Sequence, residues 1–157
     1  MTEQEEHYIH FASSIENLNN AWRILKTIKK KKNNSLSGAA FQFALIEYAK
    51  PYTNSRGNVL KNYKLDESFI PLTHIELHKR IIQSRNQILA HADLTIKEAK
   101  LHVAQIKSGK FVGIIQNVVW GTEELANIDS IIELIEKTLD KMYIEEKRLE
   151  SLLPINS

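Results

Sequence analysis

Cysteine is absent from all 157 residues, which excludes disulfides, thiolate metal sites and cysteine nucleophiles. Glycine (5) and proline (3) are scarce, too few for a disordered, fibrous or turn-rich all-β chain. No stretch approaches the ~18 uninterrupted apolar residues of a membrane span; the apolar clusters, such as Phe43 to Ile46, are short. Charge of one sign is lacking too: 21 Lys+Arg against 19 Asp+Glu leave +2, a bias that names no partner. There is no phosphate-cradling glycine loop and no nucleophile elbow. The opening Met1-Thr2-Glu3-Gln4-Glu5-Glu6 is acidic and lacks the basic start and apolar run of a signal peptide. A cytoplasmic protein with no membrane association is the expectation.

What is present is helical periodicity. Tyr8, Phe11, Ile15, Leu18, Trp22 and Leu25 recur at steps of three and four, one apolar stripe on a helix from about Thr2 to Lys30. A second helix is expected from Ser37 to Lys50, largely buried because Phe41, Phe43, Ala44, Leu45, Ile46 and Tyr48 cover several of its faces, and Pro51 stops it. A polar connection from Tyr52 to Phe69 follows, long enough to suggest function or mobility. The third helix is expected from about Pro71 to Ala92, with Thr73 and Glu76 at capping-box spacing. Beyond Asp93 the pattern changes to alternation, and Lys107-Ser108-Gly109-Lys110 reads as the turn of a β-hairpin whose second strand runs toward Val119. Lys97-Glu98-Ala99-Lys100 leaves a helix over Thr95 to Lys107 as the alternative. The last helix starts near Asn127 or Asp129, with Ile128, Ile132, Ile135, Leu139, Met142, Leu149 and Leu153 at near-heptad spacing. The expected fold is all-α: one domain, residues 1–157, an up-and-down bundle of four main helices carrying a small hairpin insertion. No βαβ alternation and no internal repeat is visible.

Six histidines bear on the chemistry. His74 and His78 are four apart on one helix face, a spacing that can hold a metal. The metalloprotease helix, however, needs Glu directly after the first His, and no third ligand is evident; surface or capping histidines are the simpler reading. His7 and His10 near the start of the first helix read the same way, and His102 falls on a strand face. No metal and no cofactor is expected.

Ser84-Arg85-Asn86-Gln87-Ile88-Leu89-Ala90-His91-Ala92-Asp93 is more informative. At ~100° and ~1.5 Å per residue, Arg85 and His91 stand about 120° apart the short way and about 9 Å apart along a helix. Their head groups do not meet directly, but a shared phosphate is within reach of the long arginine. Two copies across a twofold would bring four such groups into one cleft. The chemistry suits RNA cleavage. Histidine titrates near neutrality and acts as base or acid without a metal. Arginine forks onto phosphate oxygens and offsets transition-state charge, and asparagine can orient either. The plainer alternative is an ion pair of Arg85 with Glu76 or Asp93, and His91 as a helix C-terminal cation.

Arg85-Asn86 followed by His91, near the end of an amphipathic helix in a small helical domain, resembles the motif of the HEPN family: an arginine, commonly a polar residue such as asparagine, then histidine after four to six residues. His91-Ala92-Asp93 is similar to the His-x-Asp of abortive-infection members. The resemblance implies a metal-independent endoribonuclease acting as a toxin or phage-defence effector, commonly a homodimer with a composite site, with an antitoxin as a possible partner. It also implies catalytic roles for Arg85 and His91, a supporting role for Asn86, and a weaker one for Asp93 in orienting His91 or raising its pKa. The hairpin after the motif departs from many members, and some members are non-catalytic binding modules.

RNA would need a basic surface. Lys29, Lys30, Lys31 and Lys32 cluster with Lys26, and Arg56 lies in the long connection with Lys50, Lys61 and Lys64 nearby. Residues 1–80 hold 12 basic and 8 acidic side chains, whereas 81–157 hold 9 and 11. The first half is therefore where a phosphate-tracking surface is expected, with a solvated helix end as the bland alternative.

Overall fold

The computed structural model describes residues 1–31, 35–89, 100–115 and 121–154. Helix α1, Glu3–Lys30, opens on a capping box: Thr2 accepts the Glu5 N–H at 3.2 Å, and the Glu5 carboxylate accepts the Thr2 N–H at 2.7 Å. Its expected stripe is buried at Phe11, Ile15, Leu18 and Leu25, with Ala21 added and Tyr8 and Trp22 half-buried. Each fully buried aliphatic side chain contributes about 1.5–3 kcal/mol.

Helix α2, Ser37–Ala49, lies against α1 on one side and against α3, Ile75–Leu89, on the other. Phe41, Ala44, Leu45 and Tyr48 are buried between them. Phe43, expected inside, is instead 52% exposed, because α2 has a solvent face that the apolar composition hides. Pro51 converts the helix end into a 3-10 turn, Lys50–Tyr52.

The connection that follows is tied down. Ser55 and Tyr63 form a two-way backbone bridge at 2.9 Å, and Leu65 and Ile70 are buried anchors. The Glu6 carboxylate, itself buried on α1, accepts the backbone N–H groups of Asn58 (2.5 Å), Val59 (2.8 Å) and Leu60. Gly57 leaves room for that carboxylate, since a Cβ there would collide with it.

α3 starts later than expected, after a 3-10 turn at Leu72–His74. The Thr73 hydroxyl therefore pairs with His74 Nδ1 at 2.9 Å and the Glu76 carboxylate with Lys79 at 2.7 Å, in place of a mutual capping box. Helix α4, Ile128–Glu150, packs along α1 and ends one turn before the expected Leu153. Besides the heptad row it buries Ile131, Leu134 and Thr138, whose hydroxyl donates to the Leu134 carbonyl at 2.7 Å.

The segment between α3 and α4 holds the hairpin, not the alternative helix: β1, Lys100–Ile106, pairs antiparallel with β2, Gly109–Ile115. The expected extension through Val118 and Val119 lies outside the described residues. Leu101, Val103, Val112 and Ile114 share one face through the pairs Leu101–Ile114 and Val103–Val112, and all four are exposed. Phe111 lies on the other face against Gly113. The chain is thus mostly helical, four helices around one apolar core with a two-stranded hairpin outside it. Among the described residues no helix is long and apolar enough to cross a membrane.

Candidate functional site

Arg85 sits on α3 one turn after Ile81 and one before Ile88, both buried. Its own side chain is half-buried, between the core seam and solvent. Its Nε is buried with no hydrogen-bond partner, while Nη1 donates to the Asn86 side-chain oxygen at 3.0 Å. Of the two expected alternative partners, Glu76 is engaged by Lys79 and Asp93 lies outside the described residues. Arg85 is therefore not held by a structural ion pair among the described residues, and a buried donor left open costs about 1–3 kcal/mol.

That guanidinium forms part of the wall of two neighbouring hollows. One, of about 310 Å³, lies between α1, the 53–63 connection and α3; His10, Asn17, Lys50, Asn54, Ser55 and Tyr63 line it with Arg85. The other, of about 270 Å³, is lined by Thr53, Asn54, Lys64, Asn86 and Arg85. Among the described residues neither lining contains a carboxylate. Low-dielectric walls that carry cations and neutral donors but no acid favour an anion, and arginine matches phosphate geometry in particular.

His10 reaches this hollow because it lies seven residues, two turns, before Asn17 on the same edge of α1. Its ring stacks on Tyr63, centroids 4.7 Å apart and planes 9° apart, and its Nδ1 is 3.4 Å from the Ser55 hydroxyl. His7 meets the same tyrosine edge-on at 5.6 Å. Burial pushes the Tyr63 phenol up to about 12. Neither His10 nor Tyr63 was a candidate from the sequence. They are 53 positions apart, and the sequence holds only the weak hint of two polar rings on one edge of an otherwise amphipathic helix.

The remaining candidates scatter. Asn86 is exposed and stands in the second hollow beside Arg85. His91, Asp93 and Lys32 lie outside the described residues. Lys29 pairs with Asp129 at 2.5 Å and Lys26 with Glu136 at 3.8 Å, so much of the lysine cluster faces the start of α4. Lys30 and Lys31 are exposed. Lys29 is twelve residues beyond Asn17, about 18 Å further along α1. Arg56 lines a separate hollow of about 390 Å³ with Lys61.

His74 and His78 do not act together. His78, expected at the surface, is 2% exposed and shares a 2.7 Å hydrogen bond with the Tyr48 hydroxyl. His74 lies 3.8 Å from the Glu133 carboxylate. Among the described residues no three His, Asp or Glu side chains gather in a way that could hold a metal ion. Compared with protein-family models, curated proteins and solved structures, the chain matches none.

Proposed function

We propose that the chain is a metal-independent endoribonuclease of the HEPN kind, an up-and-down helical bundle that works on RNA as a homodimer, in the manner of a toxin or defence effector restrained by an antitoxin. The observation that carries this reading is Arg85: a guanidinium with, among the described residues, no ion pair and no carboxylate beside it in the walls of two hollows, at the position where the Arg-Asn-x4-His pattern calls for a phosphate-binding cation. In this reading Arg85 stabilises the charge that builds on the phosphorane-like transition state. His91 is the general acid/base, Asn86 positions the scissile phosphate and Asp93 orients His91. The 2′-hydroxyl attacks its own phosphate, giving 2′,3′-cyclic phosphate and 5′-hydroxyl ends.

The test is incubation of purified protein with RNA in EDTA, comparing wild type with Arg85→Ala and His91→Ala. The expected result is cleavage by wild type with those end groups and loss of about 100-fold or more in each variant. Undiminished cleavage in both rejects the assignment. Light scattering at working concentration should give a dimer; a monomer counts against the composite site.

A second reading, a non-catalytic interaction module, draws on the hairpin, whose Leu101, Val112, Ile114 and Ile115 are 57–70% exposed. An isolated two-stranded hairpin is marginal in water, and apolar faces of this kind mark interaction surfaces. In that case RNA survives a large excess of protein, and a bound partner raises the melting temperature.

A further inference from the structure

We infer that His10 is a second proton-transfer group of this site, acting in the same chain as Arg85 on a phosphodiester of one RNA strand held between α1 and α3. The inference rests on the ribonuclease reading above.

The reaction moves two protons. A base takes the 2′-hydroxyl proton as the O2′–P bond forms, and an acid returns a proton to O5′ as the P–O5′ bond breaks. With His91 alone, one imidazole performs both transfers in turn or a second chain lends its own. His10 supplies the other imidazole without a second chain. It lines the same hollow as Arg85, and at ~30 Å³ per water molecule that hollow holds about ten waters. A phosphate and its sugar fill such a space, so a phosphate gripped by Arg85 lies within reach of the ring. The ring is held by Tyr63 on its face and Ser55 at Nδ1, and it stays half-exposed toward the hollow. Asn17 and Asn54 add neutral donors. The second hollow, across Arg85, offers Lys64 and Asn86 to the next phosphate of the strand.

The titratable and charged groups around His10 are few. Glu6 lies one turn earlier, its carboxylate held by the backbone of residues 58–60. His7 lies across Tyr63, and Lys50 and Arg85 face the hollow. The Tyr63 phenol stays protonated at neutral pH, which leaves the imidazole as the group here whose chemistry suits proton transfer.

The experiment uses the full chain, a single-stranded RNA oligonucleotide in EDTA, and its uncleavable 2′-O-methyl counterpart. His10→Ala should cut about 100-fold more slowly or worse, the low end of a lost proton-transfer group. Its affinity for the 2′-O-methyl strand should stay within about threefold of wild type, and its pH–rate profile should lose one limb of the bell. His10→Gln, which keeps a polar side chain against Tyr63, should be as slow, separating loss of the proton from loss of the fold. By NMR, the 2′-O-methyl strand should raise the titration midpoint of the His10 ring in wild type but not in Arg85→Ala. If His10→Ala cuts like wild type while Arg85→Ala and His91→Ala are dead, this inference falls and the ribonuclease reading stands. Slow cleavage with both limbs retained, or an NMR midpoint that ignores the strand, also overturns it. Wild type that leaves RNA intact overturns both.

Discussion

Tyr48→Phe removes one oxygen from the middle of the core, and its effect follows from the surroundings. Tyr48 is fully buried, and its hydroxyl lies 2.7 Å from Nδ1 of the equally buried His78. Phenylalanine keeps the ring and its packing, so no cavity of consequence forms. What is lost is the partner of a buried ring nitrogen, a cost of about 1–3 kcal/mol. For a chain of this length, unfolding entropy of ~2.1 cal/mol/K per residue converts each kcal/mol into about 3 °C, so the melting temperature should drop by about 3–9 °C. The pH dependence gives a second handle. Burial holds the His78 imidazole below its ordinary value of 6.5. The unfolded chain therefore binds a proton that the folded chain refuses, and stability falls as pH drops below about 6.5. Adding His78→Leu to Tyr48→Phe removes both polar partners, and should restore much of the loss and flatten that acid slope. Calorimetry between about pH 5 and 8 reads all three proteins. A Tyr48→Phe protein that melts with wild type, or a double variant no more stable than Tyr48→Phe, would refute the reasoning. The site shares this outcome, because His78 also packs edge-on against Tyr52 at 4.6 Å, and Tyr52 lines the outer hollow beside Arg85.

Glu6→Gln should loosen the 57–60 turn in a pH-dependent way. The Leu60 N–H, followed by those of Asn58 and Val59, holds the Glu6 carboxylate below its ordinary 4.5. Its contribution is therefore present above that value and lost as pH falls through the lower folded one. The melting-temperature gap between wild type and variant should close on acidification, and hydrogen exchange at residues 58–60 should speed up at neutral pH; a gap independent of pH rejects the account. Arg85→Met keeps the buried stem and deletes the open Nε, so thermal unfolding should show it neutral to about 1–2 kcal/mol more stable than wild type while cleavage is lost. Destabilisation would make Arg85 a structural residue.

Much of the helical architecture was legible because long helices advertise one face. The Tyr8-to-Leu25 stripe and the Ile132-to-Leu149 row each repeat often enough to fix the period. Legibility failed where a second surface decides the matter. α4 buries Ile131, Leu134 and Thr138 as well, and besides α1 it touches the 67–69 turn; a single seam read from spacing misses that wider buried face. Thr73 and Glu76 had the right spacing for a cap, but the chain turns through a 3-10 segment at 72–74 and places Thr73 outside the α-helix. The His74–His78 spacing says nothing about which face is inward; Tyr48, thirty residues earlier, settles that for His78. Around the candidate site the motif singled out Arg85, but nothing in the sequence pointed to the residues across the hollow from it. His10, Ser55 and Tyr63 are brought together by a backbone bridge and a carboxylate-held turn that no local pattern encodes.

Among the described residues no carboxylate lines the hollows beside Arg85, yet two carboxylates pair with the lysines that do. Glu47, buried on α2, is bound by Lys50; Glu67 pairs with Lys64 at 3.3 Å; Glu6 faces the backbone of the 58–60 turn. In the proposed reading Lys50 and Lys64 therefore meet a phosphate with part of their charge already spent, whereas Arg85 carries no ion pair among the described residues. Of the lysines at the end of α1, Lys26 and Lys29 are in the former position, since they answer Glu136 and Asp129, and exposed pairs of this kind are worth at most about 1 kcal/mol each. If the chain binds RNA as proposed, a strand leaving the Arg85 hollow reaches Arg56 and Lys61 along the 53–64 connection, where the described lining of their hollow holds no carboxylate, without crossing about 18 Å of helix to the lysine cluster. Among the described residues two cations in each group carry no ion pair, Arg56 and Lys61 along the loop and Lys30 and Lys31 at the end of α1, so distance along α1 and not free charge separates the two routes.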